Sequence, residues 1–219
     1  ADVLIIGGGL VGAAQALALA KYGISSFIVD KASPDEVMKA GYDGRVSAIS
    51  HASVQVLTHI GAWEDVTREA GAIDSILVTE GGRLSDILFK AEGIGSDPFG
   101  YMIPNMLLRK ALLQRVLDCP LITYIAGDSM ALCSRHSSVS ATLESGKQLE
   151  ASLLLVADGR YSSVREMVGI SARKFDYDQQ AIVCTISHEK NHHNQAIEWF
   201  FPVGPLAILP MKGGHNSAI

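Results

Sequence analysis

The feature that most constrains this chain is a glycine run set between two apolar segments. Gly7-Gly8-Gly9-Leu10-Val11-Gly12 follows the run Val3-Leu4-Ile5-Ile6 and opens an Ala/Leu-rich stretch over 10–22, which Gly23 closes. A second apolar run over 26–29 ends at Asp30, 18 residues past Gly12. Short continuous apolar runs are the strands of buried parallel sheets, and the stretch between them carries helix formers and a helix stop. The opening thirty residues therefore read as one strand–helix–strand unit. In that setting G-x-G-x-x-G is a dinucleotide-binding turn. Gly7 permits the tight turn, Gly9 lets the backbone approach a pyrophosphate, and Gly12 lets helix and strand pack closely. The helix N-terminus offers free N–H groups and partial positive charge to the phosphates, and Asp30 can hold the ribose hydroxyls of the adenosine half.

Beyond this unit, helical and strand signals alternate. Ser33-Pro34-Asp35-Glu36 is a capping box with proline at the first helical position, so a short helix begins there. Apolar residues recur at helical spacing over 48–60 and again over 105–117. The runs 73–79 and 84–90, joined by Glu80-Gly81-Gly82-Arg83, read as a β-hairpin. From 121 the period becomes two, with strands near 122–126, 130–134 and 139–143 and a turn at Glu144-Ser145-Gly146-Lys147 leading into 149–157. The stretch 153–157 is continuously apolar and reads as a strand buried on both faces. It runs into Asp158-Gly159 and a serine-capped helix over 162–168. A last β region covers 181–187, 196–201 and 206–211. Asp158 thus stands at the carboxyl end of a buried strand, where open α/β sheets bind ligands. Asp43-Gly44-Arg45-Val46-Ser47-Ala48-Ile49 offers a second candidate, Arg45, between a glycine turn and a helix start.

Composition excludes several other classes. With 48% hydrophobic and 19% charged residues the chain is globular, and a net charge of −5 lacks the electrostatic footprint of a nucleic-acid binder. Cys119, Cys133 and Cys184 include no close pair, which excludes a disulfide scaffold and a cysteine-based zinc module and fits a reducing compartment. No apolar run approaches the roughly 18–20 residues of a membrane span, and no basic segment marks a signal peptide. The expectation is a cytoplasmic protein, with peripheral membrane contact left open by the demands of an apolar substrate. His188-Glu189-Lys190-Asn191-His192 matches the H-E-x-x-H pattern of zinc proteases, which works only on a helix. Here it lies between two strand readings and is expected to be a solvated hairpin loop, so no metal site is assigned. Both ends read as cut: Ala1-Asp2 directly precedes a strand, and the chain stops at Ile219 without a polar tail.

Three signals in this order, Gly7 to Gly12 with Asp30, then Asp43 to Ile49, then Asp158 to Arg165, resemble the flavoprotein aromatic hydroxylases, the group A FAD monooxygenases. Gly44-Arg45-Val46-Ser47-Ala48-Ile49-Ser50, Gly61-Ala62-Trp63, Leu143-Glu144-Ser145-Gly146 and Gly204-Pro205-Leu206-Ala207-Ile208-Leu209-Pro210-Met211 are similar to the ubiquinone-biosynthesis hydroxylases within that family. The resemblance implies an α/β fold, with a Rossmann-like FAD-binding domain of the glutathione-reductase type over 1–74 and 101–170. A substrate-binding β-sheet domain over 75–100 and 171–219 is interleaved with it. It implies FAD reduced by NAD(P)H, and O2 forming a flavin C4a-hydroperoxide that hydroxylates a polyprenylated phenol in ubiquinone biosynthesis. Contact with a quinone-biosynthesis complex goes with that role. By the same resemblance Asp30 holds the adenosine ribose, Arg45 and Asn105 or Arg109 lie along the FAD, and Asp158 with Gly159 lies near the pyrophosphate and also serves the nicotinamide cofactor. No residue is singled out as a catalytic acid or base. The family carries a further Gly-Asp motif and C-terminal helices after the substrate sheet. Neither is present in these 219 residues, so a missing C-terminal part, poor retention of FAD and an inactive chain are expected. Two alternatives are an FAD-dependent dehydrogenase or reductase of the same fold, and a flavin-free scaffold without catalysis.

Overall fold

A computed structural model describes residues 1–80, 86–93, 95, 97–135 and 138–219. The chain divides into two compact units, Ala1–Gly41 with Leu108–Asp178, and Tyr42–Leu107 with Gln179–Ile219.

The first unit is built on a parallel sheet in the order Leu153–Val156, Val3–Ile6, Ser26–Asp30, Ile122–Ala126. Its two inner strands meet through apolar residues except at Ser26, opposite Val3, and Leu4, Ile5 and Ile28 are inaccessible to solvent. Helix Leu10–Ala20 buries Ala13, Ala16 and Leu17 and stops two residues short of the expected end, as Lys21 and Tyr22 turn toward Gly23. Ser33 and Glu36 form the expected capping box at the start of helix Pro34–Lys39. A three-stranded antiparallel meander, Met130–Arg135, Val139–Leu143 and Gln148–Ala151, packs its alternate residues Met130, Ala141, Leu143 and Leu149 against Leu4, Ile6 and Val29 of the parallel sheet. Period two in the sequence is the signature of this half-buried meander. One expectation is corrected here. Strand Leu153–Val156 is not buried on both faces: Leu153 is 50% and Val156 40% exposed, because the strand forms the edge of its sheet.

The second unit holds a three-stranded antiparallel sheet, with Gly100–Pro104 between Val46–Ser50 and Gly71–Ile73, and a six-stranded mixed sheet. The latter runs Thr185–Ser187, Asn216–Ala218, Gly204–Pro210, Gln195–Phe201, Ser75–Thr79, Ile87–Lys90, so both expected β regions share it. Residues 48–50, expected to be helical, are strand. Val46–Ser50 pairs with Gly100–Pro104, a Cβ on Gly100 would meet the Ile49 carbonyl oxygen at 2.2 Å, and Ser50 then caps helix His51–His59. Long-range pairing overrides a helical spacing that begins three residues too early. Of 181–187 only Thr185–Ser187 is strand; Cys184 exchanges both backbone bonds with Ile219, and no described strand lies opposite 181–183. The joining residues Gly81 to Arg83 of the expected hairpin, and Leu84 and Ser85 of its second strand, lie outside the described residues. The units also divide the chain elsewhere than the expected segments, because Val46–Ser50 and Gly71–Ile73 both pair with Gly100–Pro104 and draw 42–74 and 101–107 into the second unit. Among the described residues no helix is long and apolar enough to cross a membrane.

Candidate functional site

A cleft opens at the carboxyl ends of the parallel strands. Strand Val3–Ile6 leaves the sheet at Gly7, whose φ of 102° suits glycine and whose added Cβ would meet the Ala157 carbonyl oxygen at 2.4 Å. On Gly12 a Cβ would fall 1.9 Å from the Gly7 carbonyl oxygen, so only glycine lets the helix cross the turn. Gly9 differs: its φ is −73° and nothing lies within 4 Å of its would-be Cβ. It is the N-cap of helix Leu10–Ala20, gives no side-chain cap, and the first turn carries no acidic residue. The helix end thus presents N–H groups and the positive end of its dipole to an open space, an arrangement made for an anion.

Asp30 ends the second strand beside this turn. Its Oδ2 accepts the Gly8 N–H at 2.5 Å and its Oδ1 the Ala32 N–H at 2.7 Å, and each oxygen keeps a lone pair for a further donor. Tyr124 on the neighbouring strand donates to the Ala32 carbonyl at 3.2 Å. Burial and then the Asp30 charge push its phenol up to about 12, against a smaller lowering by the Arg109 guanidinium. The buried Nε of Arg109 has no hydrogen-bond partner. Across the cleft, Ala157 donates its N–H to the Ile6 carbonyl at 2.7 Å and delivers Asp158, whose buried Oδ1 has no partner either. Gly159 follows at a φ of 89°. Gly7, Asp30 and Asp158 line one cleft, with an uncapped helix end beside it, an unsatisfied buried acceptor in it, and the Arg109 charge close enough to Tyr124 to act on its phenol. An adenosine diphosphate group matches that set of donors and acceptors.

Sequence reasoning passed over several lining residues. Lys31, Asp128, Ser129 and Tyr161 share the cleft, and Gly8 belongs to the turn's steric logic because its Cβ would come 2.8 Å from the Tyr124 ring. Asp128 and Ser129 were findable: they follow Ile122–Ala126, whose last residue pairs with Asp30, at the ligand-binding edge of the sheet. Two expected residues belong to the second unit. Arg45 holds Asp43 with its Nε at 2.8 Å and an Nη at 2.6 Å, which keeps the Asp43 carboxyl below the usual aspartate range. The Arg45 carbonyl accepts the Asn105 N–H at 3.0 Å, and Asn105 Oδ1 accepts the Ser47 hydroxyl at 2.5 Å.

The H-E-x-x-H segment is not helical. His192 Nδ1 accepts the Asn194 N–H at 3.0 Å, so its Nε2 carries the proton donated to the Met211 carbonyl at 2.8 Å. His188 lies 2.6 Å from the Lys190 carbonyl and 2.9 Å from the Ser217 hydroxyl. Both rings are committed to hydrogen bonds within the protein, and no group of three or more His, Cys, Asp or Glu among the described residues is placed to hold a metal.

The family model of the FAD binding domain matches residues 1–215. Ubiquinone hydroxylase UbiL of Rhodospirillum rubrum is 44% identical over 220 residues, covering 100% of this chain and 51% of that protein. The 3-demethoxyubiquinol 3-hydroxylase of Escherichia coli is 32% identical over 220 residues, covering 100% of this chain and 56% of that protein. PqsL of P. aeruginosa, solved with 2-aminobenzoylacetate, shares the fold at a TM-score of 0.83 and 21% identity, covering 99% of this chain and 59% of that one. The chain therefore spans about half the length of the curated relatives it matches.

Proposed function

The chain belongs to the FAD binding domain family, and from that premise we propose that it serves FAD-dependent hydroxylation of the aromatic ring of a polyprenylated phenol in ubiquinone biosynthesis. NAD(P)H is the reductant and O2 the oxidant in this reading. The names of the ubiquinone hydroxylase relatives support the substrate class. The observation that carries the cofactor reading is the orphaned buried Oδ1 of Asp158 in the same cleft as Gly7 and Asp30. A buried acceptor without a partner costs about 1–3 kcal/mol, and a hydroxyl-bearing cofactor removes that cost.

The residues present fit FAD. Bound there, FAD supplies the redox chemistry with the nicotinamide and O2. The chain's own residues bind and orient it. Asp30 takes the adenosine ribose hydroxyls on its free lone pairs, while its bonds to Gly8 and Ala32 fix the carboxylate in place. The helix end at Gly9 takes the pyrophosphate, with Gly7 and Gly12 holding the turn shut behind it. Arg109 offers its unpaired Nε to the anionic part, and Asp158, set by the φ of Gly159, accepts from a hydroxyl.

The test is NAD(P)H-dependent consumption of 18O2 with and without a short-tailed 2-polyprenylphenol. Incorporation of one labelled oxygen atom into the phenol, with matching NAD(P)H oxidation, is the expected result. Run on the full-length protein, NAD(P)H oxidation with no label in the product would replace the reading by a dehydrogenase, and absence of flavin after desalting would replace it by a scaffold.

A further inference from the structure

The strand Ile87–Lys90 ends the six-stranded sheet and carries apolar side chains on both faces. Ile87 is 55%, Leu88 46% and Phe89 49% exposed. A free edge of this kind is a template for pairing with another chain, and proteins usually blunt it with proline, a bulge or charge. Residues 86–90 hold no proline, and the register against Ser75–Thr79 runs without a shift. Two charges are present, of opposite sign and at opposite ends. Asp86 directly precedes the strand and Lys90 closes it. Both are exposed, and neither makes an ion pair among the described residues.

Backbone geometry says which groups face outward. Ala91 donates its N–H to the Asp74 carbonyl at 2.9 Å, one step beyond the opposed pair Ser75 and Lys90. Successive residues of a strand turn their N–H and C=O to alternate sides, so Phe89 and Ile87 also bond inward while Leu88 and Lys90 point out. Among the described residues nothing meets those outward groups.

The segment Asp86-Ile87-Leu88-Phe89-Lys90 is complementary to itself when turned antiparallel. With Leu88 on a two-fold axis, Leu88 meets Leu88 of a second copy through outward groups. The same register sets Asp86 opposite Lys90 and Lys90 opposite Asp86, and puts Ile87 opposite Phe89 twice. The Ile–Phe pairs are then of the non-hydrogen-bonded kind, which brings side chains closest. A shift of one residue would bring inward-bonded groups to the seam, and a shift of two would part Asp86 from Lys90. Parallel pairing in register would set Asp86 against Asp86 and Lys90 against Lys90. We propose that Ile87–Lys90 is a dimerisation edge, at which two copies join their sheets in antiparallel register about Leu88. The contact is small, so the dimer is weak and reversible, and the fold of each copy does not depend on it.

Sedimentation velocity of the full-length protein across the micromolar range tests this, with Asp86→Lys and Lys90→Asp alongside. The wild type should pass from monomer to dimer as concentration rises. Either substitution sets like charges opposite each other at both ends of the seam and should weaken association about tenfold or more. Mixed in equal amounts, the two variants restore opposite charges at both ends and should associate as the wild type does. Lys90 also shares a hollow with Asp74, Glu92 and Asp97, so the mixture, which no local effect at Lys90 can rescue, decides. Leu88→Pro, which removes an outward N–H and spares the ladder to Ser75–Thr79, should abolish the dimer. Circular dichroism confirms that each variant is folded. A wild type that stays monomeric at every concentration, association that neither charge reversal weakens, or a mixture that stays apart overturns the proposal.

Discussion

The cleft of the first unit and the open sheet face of the second are both made at strand ends and edges, yet they are encoded differently. Gly7, Gly9 and Gly12 lie within one turn, and the part each plays follows from local backbone geometry: a positive φ, an open approach, a crossing with no room for a Cβ. Glu198 and Ile87 are far apart in sequence and share a face only because Gln195–Phe201 runs parallel to Ser75–Thr79, which in turn pairs with Ile87–Lys90. The cleft is sterically exact and intolerant of change. The sheet face is tolerant of substitution at its exposed positions.

The sharpest way to break that contrast is at the glycines. Gly12→Ala should cost about 3 kcal/mol or more, since the Gly7 carbonyl that its Cβ would strike is backbone and cannot move aside. Gly9→Ala, with open space around it, should keep the melting temperature and lose flavin retention. Equal melting temperatures for the two variants would refute the steric account of the turn. Asp30→Ala comes next. In the full-length protein it should leave the fold intact and weaken FAD by about 1.5–3 kcal/mol, the worth of a hydrogen bond to a charged group. Flavin affinity unchanged in a titration would remove Asp30 from the site. On the sheet face, Phe89→Ser should alter stability by no more than about 0.5 kcal/mol, as exposed substitutions do. A larger drop in a denaturant titration would mean the face is part of a core. The smallest effect is expected at the histidine loop. Added zinc should shift neither the melting temperature of the wild type nor that of His192→Ala, and stoichiometric zinc by elemental analysis, lost in His192→Ala, would overturn the assignment of both rings to hydrogen bonds within the protein.

Legibility followed the same division. The strand–helix–strand unit, the capping box at Ser33 and the meander after Leu121 could be read because each is dictated by neighbours in sequence. Val46–Ser50 could not, because its strand state comes from Gly100–Pro104 more than fifty residues later, and Ser50 moves the helix start past the apolar spacing. Leu153–Val156 looked central because its composition is apolar, but position within a sheet is set by strand order, which composition does not carry. At the site, Asp30 and Asp158 carried a signal as carboxylates at the carboxyl ends of the apolar runs 26–29 and 153–157. Lys31 and Tyr161 did not, being ordinary exposed residue types until the fold puts them beside a cleft.

The pairing of Val3–Ile6 with Leu153–Val156 also bears on how the polypeptide is born. The first strand leaves the ribosome about 150 residues before its edge partner. At synthesis rates of roughly 5–20 residues per second, that is a wait of roughly 8–30 s. Through that interval one side of an entirely apolar strand has only unmet backbone groups to show, which makes that nascent strand a natural client for chaperones that hold extended apolar segments. A pulse of synthesis halted just before Leu153 should therefore leave a chain bound to such a chaperone, and one halted well beyond Val156 should release it.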